Sequence, residues 1–258
     1  MMNEQENTNK QYADELKLHG LIAHWQEITD EQQALLSLWL TWELAERKQR
    51  SLDRRLSSAR LGRFKPLTEF DWQWPGKIDQ PAVQRLMQLD FLTEASNIII
   101  LGSNGVGKST IAQNLGYKAV MQGHTVLFTT AANMLNDLAA QDGDNALRRR
   151  LSYYAKPRLL LIDEVGYLCY SNRHADLLFE IINRRYEKNA TIVTTNRPFS
   201  EWNEVFPNAA CVVSLIDRLV HHSEVLAIEG ESYRMKEAQE QASNRRKAKI
   251  ENRKGKSQ

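Results

Sequence analysis

The sequence contains little cysteine, little proline and no long apolar run. Its two cysteines, Cys169 and Cys211, lie far apart among 258 residues, so we expect a reducing environment rather than a disulfide framework. The apolar runs are too short for a membrane-spanning helix. The amino-terminal stretch MMNEQENTNKQ is polar and lacks the apolar centre of a signal peptide. These absences predict a cytoplasmic protein that has no membrane partner.

Charge of one sign is not in excess overall, because 34 lysines and arginines face 32 acidic residues. The basic side chains are nevertheless concentrated in two segments, residues 47–65 and residues 243–258. Either segment fits a solvated surface as well as it fits a surface that contacts nucleic-acid phosphates. A helix as basic as the first segment repels itself unless an anion lies beside it, which favours contact with DNA or with a neighbouring subunit. The residues of this segment that we predict to contact DNA are Arg54, Arg55 and Arg60.

The start of the chain has no proline and little glycine up to Gly62, which favours helices. Leucine, isoleucine and tryptophan recur there at helical spacing from residue 11 onward. We predict a small all-helical domain of two or three helices over residues 1–63. Residues 64–81 then carry three prolines and two tryptophans, which predicts an extended connector whose aromatic rings are packed. A short helix follows and completes a connector region at 64–96.

Short apolar runs alternate with helical stretches from residue 97 onward. Strands that are buried on both faces have this pattern, and helices between such strands make the sheet parallel. The predicted strands are 97–101, 125–129, 158–163, 190–195 and 224–229. The sequence therefore predicts an α/β fold with a five-stranded parallel sheet over residues 97–236. Residues 237–258 complete the chain as a basic tail that we expect to be disordered.

A glycine-rich stretch follows the first predicted strand and precedes a helix. Its sequence from Gly102 to Ser109, GSNGVGKS, fits the P-loop pattern G-x-x-x-x-G-K-[ST]. Glycines let backbone N–H groups turn towards phosphate oxygens, and the helix N-terminus adds a favourable dipole. Lys108 supplies a positive charge for the β- and γ-phosphates, and Ser109 offers an oxygen to Mg²⁺. The residues predicted to bind ATP are Gly102, Ser103, Asn104, Gly105, Val106, Gly107, Lys108, Ser109 and Thr110.

Polar residues end the third and fourth predicted strands. Asp163 and Glu164 follow the run LLLI. After a P-loop, this pair suggests that Asp163 holds Mg²⁺ or one of its waters while Glu164 polarises the attacking water as general base. The alternative is a carboxylate pair that caps a loop. Asn196 ends the stretch TTN and can reach the γ-phosphate or the water, although asparagine is also a common turn residue.

Two late arginines suit a role in stabilising charge on a γ-phosphate. Arg218 lies in SLIDRLVHH and Arg234 lies in EGESYR. An arginine at a γ-phosphate stabilises the transition state, either from the same chain or from a neighbouring one. A surface salt bridge explains each arginine equally well when it is taken alone.

The order of these motifs resembles that of the AAA+ ATPases. The amino-acid sequences of the motifs resemble more closely those of the IstB-like ATP-binding proteins of bacterial insertion sequences, which are relatives of the DnaC helicase loaders. The matching stretches include GSNGVGKSTIAQNLGYKAVMQG, LLLIDEVGYL, RRYEKNATIVTTNRPFSEW and DRLVHHSEVLAIEGESYRM. The family pattern has Gly-Lys-Thr-His-Leu and Thr-Ser-Asn where this chain has Gly-Lys-Ser-Thr-Ile and Thr-Thr-Asn. Both changes keep the hydroxyl or amide group.

The resemblance implies an enzyme that hydrolyses ATP to ADP and phosphate with Mg²⁺. It implies that Lys108 and Ser109 bind the nucleotide and Mg²⁺, and that Asp163 and Glu164 are the Walker B pair. Asn196 would be sensor 1. Arg218 would be an arginine finger that reaches the site of a neighbouring subunit, and Arg234 would be sensor 2 of the site in its own chain.

The resemblance also implies a biological task in a bacterial cytoplasm. It predicts a helper of insertion-sequence transposition that forms a homo-oligomer on double-stranded target DNA through ATP-bridged interfaces. This helper recruits and stimulates the transposase encoded by the same element, and ATP hydrolysis regulates assembly. DNA-facing elements of this clade fall near Arg148, Arg149 and Arg150, although a run of arginines also suits a solvated face.

Two other functions compete with this one. A DnaC-like replicative helicase loader binds single-stranded DNA and the helicase. A nucleotide-gated scaffold does not hydrolyse ATP and tolerates Glu164→Gln. The helical, tryptophan-rich amino terminus favours the transposition helper over the loader.

Overall fold

The structure is a computed structural model, and it describes residues 4–74, 76–167, 170–206 and 209–238. The chain divides into two compact units, one up to Ser57 and one from Ser58 onward. The domain limits drawn from the sequence stay predictions, and the predicted basic tail lies outside the described residues from 239 onward. Among the helices of the described ranges, none combines the length and apolarity needed to cross a membrane.

The first unit is helical, as predicted. Helix α1 (Glu4–Glu15), helix α2 (His19–Ala23) and the long helix α3 (Asp30–Ala59) follow one another. α1 begins earlier than the apolar spacing indicated, because its first turns are polar and carry no periodic signal. The buried apolar side chains at the centre of this unit are Ala13, Leu16, Trp25, Leu40 and Leu44.

The basic half of α3 carries counterions of its own. Arg47 and Arg50 pair with Glu43 and Glu46 one turn earlier, at nitrogen–oxygen distances of 2.6 and 2.7 Å. The prediction that so basic a helix needs an external anion is therefore wrong for this part of α3. The acids that offset Arg47 and Arg50 precede residue 47 and lie one helical turn from their partners.

The second unit is built on a six-stranded sheet. Its strands are β1 (Lys77–Ile78), β2 (Asn97–Gly102), β3 (Val126–Thr130), β4 (Leu159–Val165), β5 (Ala190–Thr195) and β6 (Ser223–Glu229). Their order across the sheet is β1-β6-β2-β5-β4-β3. The five predicted strands are confirmed, and they pair in parallel. The sheet is mixed rather than wholly parallel, because β1 adds an antiparallel edge beside β6. A strand of two residues is too short to leave a periodic signal.

Helices connect these strands and cover the sheet. They are α4 (Gln80–Leu86), α5 (Asp90–Thr93), α6 (Lys108–Met121), α7 (Ala131–Ala139), α8 (Asp144–Ala155), α9 (Asn172–Arg185), α10 (Trp202–Val205) and α11 (Ala209–Val220), and residues 233–238 are also helical. The sequence predicted one short helix before β2, but the structure has two, α4 and α5. Leu89 separates them because it takes a left-handed conformation (φ +68°). A core built largely from α7, α8, α9 and α11 packs against Leu160 and Ile162. α6 approaches the opposite face at Leu161, since neighbouring residues of a strand alternate between faces.

A buried arginine joins three segments of the second unit. Arg185, the last residue of α9, is 1% exposed. Its guanidinium donates to the carbonyl oxygens of Ala155 and Pro157 at 2.9 and 2.8 Å, and also to that of Ala190 at the start of β5. Its Nε donates to the Thr191 hydroxyl at 3.0 Å. Burial lowers the pKa of Arg185 to about 9, so the group remains charged at neutral pH.

Replacing Arg185 with methionine is expected to destabilise the chain by about 3 kcal/mol, because several buried carbonyl groups lose their donor. Urea unfolding followed by circular dichroism measures this loss. Arg184→Met is the matched control, since Arg184 pairs near the surface with Glu180 at 2.7 Å and its loss should cost under about 1 kcal/mol. Equal unfolding midpoints for the two variants would show that the buried contacts add nothing.

Candidate functional site

The P-loop connects β2 to α6 and depends on two glycines. Gly105 and Gly107 take left-handed backbone conformations, with φ of +80° and +102°. A Cβ atom on Gly105 would lie 2.2 Å from the Ser232 hydroxyl, and one on Gly107 would lie 2.5 Å from the Phe70 ring. Glycine alone fits both this conformation and this space. A loop so shaped can turn its backbone N–H groups towards a phosphate.

Lys108 begins α6 and is buried. Its ammonium group donates to the carbonyl oxygens of Gly102 and Ser103, both at 2.7 Å, so it lies over the loop. Burial lowers the pKa of Lys108, and the carboxylates of Asp163 and Glu164 offset this only in part. A phosphate beside the ammonium group favours its charged form and raises this pKa again. The surroundings of Lys108 therefore fit an anionic ligand.

Ser109 and Asp163 meet where β4 approaches the P-loop. The Ser109 hydroxyl donates to the Asp163 carboxylate, and both carboxylate oxygens lie 2.9 Å from it. Mg²⁺ takes oxygen ligands and is usually held by one or two carboxylates together with phosphates and waters. A hydroxyl beside a carboxylate supplies that chemistry, so the two residues predicted to hold the ion are adjacent and fit it.

Most of the predicted site residues surround one cavity. Its volume is about 620 Å³, which lies within the range of small-molecule sites. Asp163 contacts this site through Ser109 rather than lining the cavity. The predicted residues that line it are Asn104, Gly105, Val106, Gly107, Lys108, Ser109, Thr110, Glu164, Asn196 and Arg234.

Aromatic side chains form a wall of this cavity that the motifs did not predict. The rings are those of Phe64, Phe70, Trp74 and Tyr233. The connector supplies the first three, so rings that were expected to be packed lie beside the P-loop. Flat rings offer a stacking surface that suits a nucleobase. The available signal was the density of aromatic residues in FKPLTEFDWQW, but nothing in that stretch says what the rings contact.

The segment after β6 is tied to the connector and to the P-loop. Lys236 pairs with Asp71 of the connector at 3.0 Å. The backbone N–H of Tyr233 donates to the Gly105 carbonyl at 3.0 Å. Arg234 lies between these two contacts in the chain and lines the cavity. The late arginine of EGESYR is therefore brought to the P-loop of its own chain.

Arg218 lies elsewhere. It belongs to α11, and its guanidinium lies 4.6 Å from the centre of the Phe179 ring. Its Nη1 atom is buried and has no hydrogen-bond partner within the described part of the chain. Arg218 does not line the cavity that Arg234 lines. The two late arginines, which looked alike in the sequence, thus have different surroundings.

Arg60 and Arg150, the last residue of the arginine run of α8, lie beside the Tyr153 ring. The guanidinium of Arg60 lies 5.9 Å from the centre of the Tyr153 ring, and that of Arg150 lies 4.4 Å from it. Arg148 and Arg149 are exposed on the same helix. Arg150 is instead engaged within the unit, because it forms an ion pair with a carboxylate of α7. The members of this group that keep exposed charge are Arg60, Arg148 and Arg149.

Arg54 and Arg55 lie on α3 in the first unit. Arg54 is exposed, and its Nε donates to the Arg50 carbonyl one turn earlier at 3.3 Å. Arg55 is half-buried and donates to the Ser51 hydroxyl at 2.6 Å. Contact of either residue with DNA stays a prediction.

A family model described as IstB-like ATP binding protein matches residues 11–241 of the chain. Among curated relatives, a protein described as an insertion sequence IS21 ATP-binding protein of Pseudomonas aeruginosa is 41% identical over 202 residues, covering 78% of this chain and 76% of that protein. The corresponding protein of insertion sequence IS232 from Bacillus thuringiensis subsp. berliner is 33% identical over 242 residues, covering 91% and 95%. The resemblance drawn from the motifs is confirmed.

Solved structures share a large part of the fold of this chain. DnaI superposes with a TM-score of 0.54 at 16% identity, covering 65% of this chain and 89% of that one. AMPPCP-bound DnaA from Aquifex aeolicus also reaches 0.54, at 21% identity, covering 72% and 56%. At such identities the likeness establishes the fold alone. That fold is the AAA+ P-loop architecture, so the predicted fold class is confirmed.

Gly107→Ala is expected to weaken binding of a fluorescent ATP analogue by at least about tenfold, because the added methyl group collides with Phe70 and strains the loop. Titration of the wild-type and variant chains with the analogue gives the two dissociation constants.

Gly123→Ala is the matched control for this prediction. Gly123 has φ +94°, yet no atom of the described residues lies within 4 Å of a Cβ atom added there. The control therefore introduces similar backbone strain away from the cavity, and it should bind the analogue as the wild type does. Equally weakened binding in both variants would assign the effect to general stability instead of to the loop.

Proposed function

This chain belongs to the family of IstB-like ATP binding proteins, and from that premise we propose that it is a DNA-binding ATPase that assists insertion-sequence transposition. Membership of the family supports ATP binding, and relatives are named as ATP-binding proteins of insertion sequences. Hydrolysis, use of Mg²⁺, assembly on DNA and action on a transposase are parts of the proposal. The observation that carries it is that the P-loop, Glu164, Asn196 and Arg234 share one cavity.

The triphosphate is proposed to lie along the P-loop. Lys108 exchanges its two carbonyl partners for phosphate oxygens, which are better partners for a buried ammonium group because they carry charge. Arg234 adds a second cation, and its charge is near enough to lower the pKa of Lys108. Two cations that repel each other are both stabilised when a polyanion lies between them. The aromatic wall is left to contact the base.

The hydrolytic roles are assigned by what each side chain can do with a proton. Ser109 and Asp163 would hold Mg²⁺, which neutralises developing charge on the phosphates when it is bound. Glu164 is exposed in the cavity, so its carboxylate can accept a proton from the attacking water. The Asn196 amide cannot take up a proton at neutral pH, which leaves it to orient the water or a γ-phosphate oxygen.

Assembly is proposed to depend on Arg218. Arg218 does not line the cavity of its own chain, and its Nη1 has no partner among the described residues. A buried donor without an acceptor is costly, and Arg218 is only half-buried on α11, so a change that turns Nη1 outward would let an acceptor from another molecule satisfy it. A γ-phosphate in the site of a neighbouring subunit supplies such an acceptor. Contacts of this head-to-tail kind generate rings or open spirals, in which ATP acts as a bond between subunits.

DNA binding is proposed for the surface of Arg60, Arg148 and Arg149. Arg60 lies beside the Tyr153 ring of α8, the helix that carries Arg148 and Arg149, and all three arginines are exposed. Repeated along an oligomer, such a surface offers many phosphate contacts, which can offset the energy needed to bend a duplex. Recruitment of the transposase rests on the insertion-sequence relatives.

Sedimentation with DNA tests the proposal as a whole. The chain is sedimented with duplex DNA, with and without ATP and Mg²⁺. Large species that require both the duplex and ATP support the transposition helper. Species that form only on single-stranded DNA or with a helicase would support a helicase loader, and a monomer under every condition would contradict ATP-bonded assembly.

Arg218→Ala and Lys108→Ala are each expected to lower ATP hydrolysis by at least about 100-fold. Mixing the two variants should restore activity, because one supplies an intact finger and the other an intact site. Steady-state phosphate release measures this recovery. Arg234→Ala mixed with Lys108→Ala is the control, since Arg234 lines the cavity of its own chain and a neighbour cannot replace it. Lack of recovery in both mixtures would rule against a finger that acts between subunits.

Arg148→Ala combined with Arg149→Ala should weaken duplex binding and reduce the slope of log K against log salt by about 0.9 for each DNA phosphate that the variant no longer neutralises. Fluorescence anisotropy at several salt concentrations measures the slope. Arg85→Ala controls for net charge, because Arg85 is an exposed arginine that pairs with Glu224 at 3.7 Å. The same slope change per charge in the control would mean that overall charge, and not this surface, drives binding.

A further inference from the structure

Strand β4 contains a bulge at the Walker B residues. Its pairing with β5 shifts register between Ile162 and Val165, so Asp163 and Glu164 lie opposite the single residue Thr194. Glu164 has φ +61°, a left-handed conformation that is unfavourable for a residue with a side chain. Bulges bend a strand and redirect side chains, and they are frequent beside active sites.

One hydroxyl group contacts both residues of this bulge. Thr194 Oγ1 donates to Asp163 Oδ1 at 2.5 Å and accepts from the backbone N–H of Glu164 at 2.9 Å. Thr194 is 1% exposed, so water does not compete for these bonds. In the bulge the Glu164 N–H thus bonds to a side chain, and a buried N–H deprived of this acceptor would be left unsatisfied.

We propose that Thr194 is a positioning residue for ATP hydrolysis, because its hydroxyl holds the bulge that directs both Walker B carboxylates to the nucleotide site. In a regular strand, neighbouring side chains point to opposite faces of the sheet. Asp163 nevertheless contacts Ser109, and Glu164 lines the cavity that Ser109 also lines. The inference rests on the ATPase activity proposed above.

Removal of this hydroxyl should affect the chemical step more than nucleotide binding. Thr194 does not line the cavity, and the P-loop hydrogen bonds of Lys108 do not involve it. Without the hydroxyl, Glu164 can relax from its left-handed conformation and carry its carboxylate away from the attacking water. Asp163 is left with one donor fewer and is held less firmly against Ser109. The general base is then misplaced in a site that still binds ATP.

Thr194→Val tests this, because it replaces the hydroxyl with a methyl group of similar size. We expect kcat to fall by about 10- to 100-fold, because a misplaced general base loses part of the roughly 10²- to 10⁴-fold that a positioned one contributes. The dissociation constant of a fluorescent ATP analogue without Mg²⁺ should stay within about twofold of the wild type. Thr194→Ser keeps the hydroxyl and should restore most of kcat. Steady-state hydrolysis, analogue titration and thermal unfolding are measured for each chain.

Thr191→Val is the matched control. Thr191 lies on the same strand, is also 1% exposed, and its hydroxyl accepts from Arg185 at the start of β5, away from Walker B. This variant removes an equally buried threonine hydroxyl, so it should unfold at a lower temperature than the wild type while it keeps kcat. If Thr194→Val does not fold, Thr194→Ala lacks the same hydroxyl and should show the same reduction in kcat.

The outcomes separate this inference from the proposed function. A wild-type chain that binds ATP without hydrolysing it contradicts the ATPase proposal itself. A hydrolysing wild type with an unchanged kcat in Thr194→Val overturns only the role of Thr194. Equal reductions in Thr194→Val and Thr191→Val, or no recovery in Thr194→Ser, would also overturn it, because general destabilisation would then account for the effect.

Discussion

The hydrogen bonds to the Asp163 carboxylate are the interaction on which the rest of the site depends. Ser109 reaches this carboxylate from the first turn of α6, and Thr194 reaches it from β5. One buried group therefore joins α6, β4 and β5, the strand that Asn196 follows. Because a buried carboxylate is costly without donors, these three elements are held in one arrangement. The cavity for the nucleotide follows from that arrangement.

The site is made from backbone conformations that a regular fold avoids. Gly105, Gly107 and Glu164 all have positive φ. Each is supported by close neighbours, namely the segment after β6 at Gly105, the connector at Gly107 and the Thr194 hydroxyl at Glu164. Strained positions persist only where the surroundings determine them fully, and such positions cluster at functional sites. The connector and the segment after β6 are thus structural parts of the nucleotide site.

Positive charge in this chain serves several purposes, and position decides which. Arg185 donates hydrogen bonds to buried carbonyl groups, and Arg150 forms an ion pair with a carboxylate of α7. Arg234 lines the nucleotide cavity, whereas Arg218 rests on an aromatic ring away from it. Arg60, Arg148 and Arg149 are instead exposed. Counting charges along the chain cannot separate these groups, because their partners are distant in sequence.

The amino-acid sequence by itself determined the helical amino terminus, the five parallel strands, the P-loop motif and the position of Asp163 and Glu164 near the end of a buried strand. These features are local or periodic, so neighbouring residues suffice to specify them. Tertiary structure alone decided that β5 lies between β2 and β4, which brings Asn196 between the P-loop and Walker B. Tertiary structure also decided which rings form the aromatic wall of the cavity, that β1 pairs antiparallel with β6, and that the Thr194 hydroxyl contacts the bulge in β4. These depend on packing between segments far apart in the chain, and no spacing along the sequence encodes which surfaces meet.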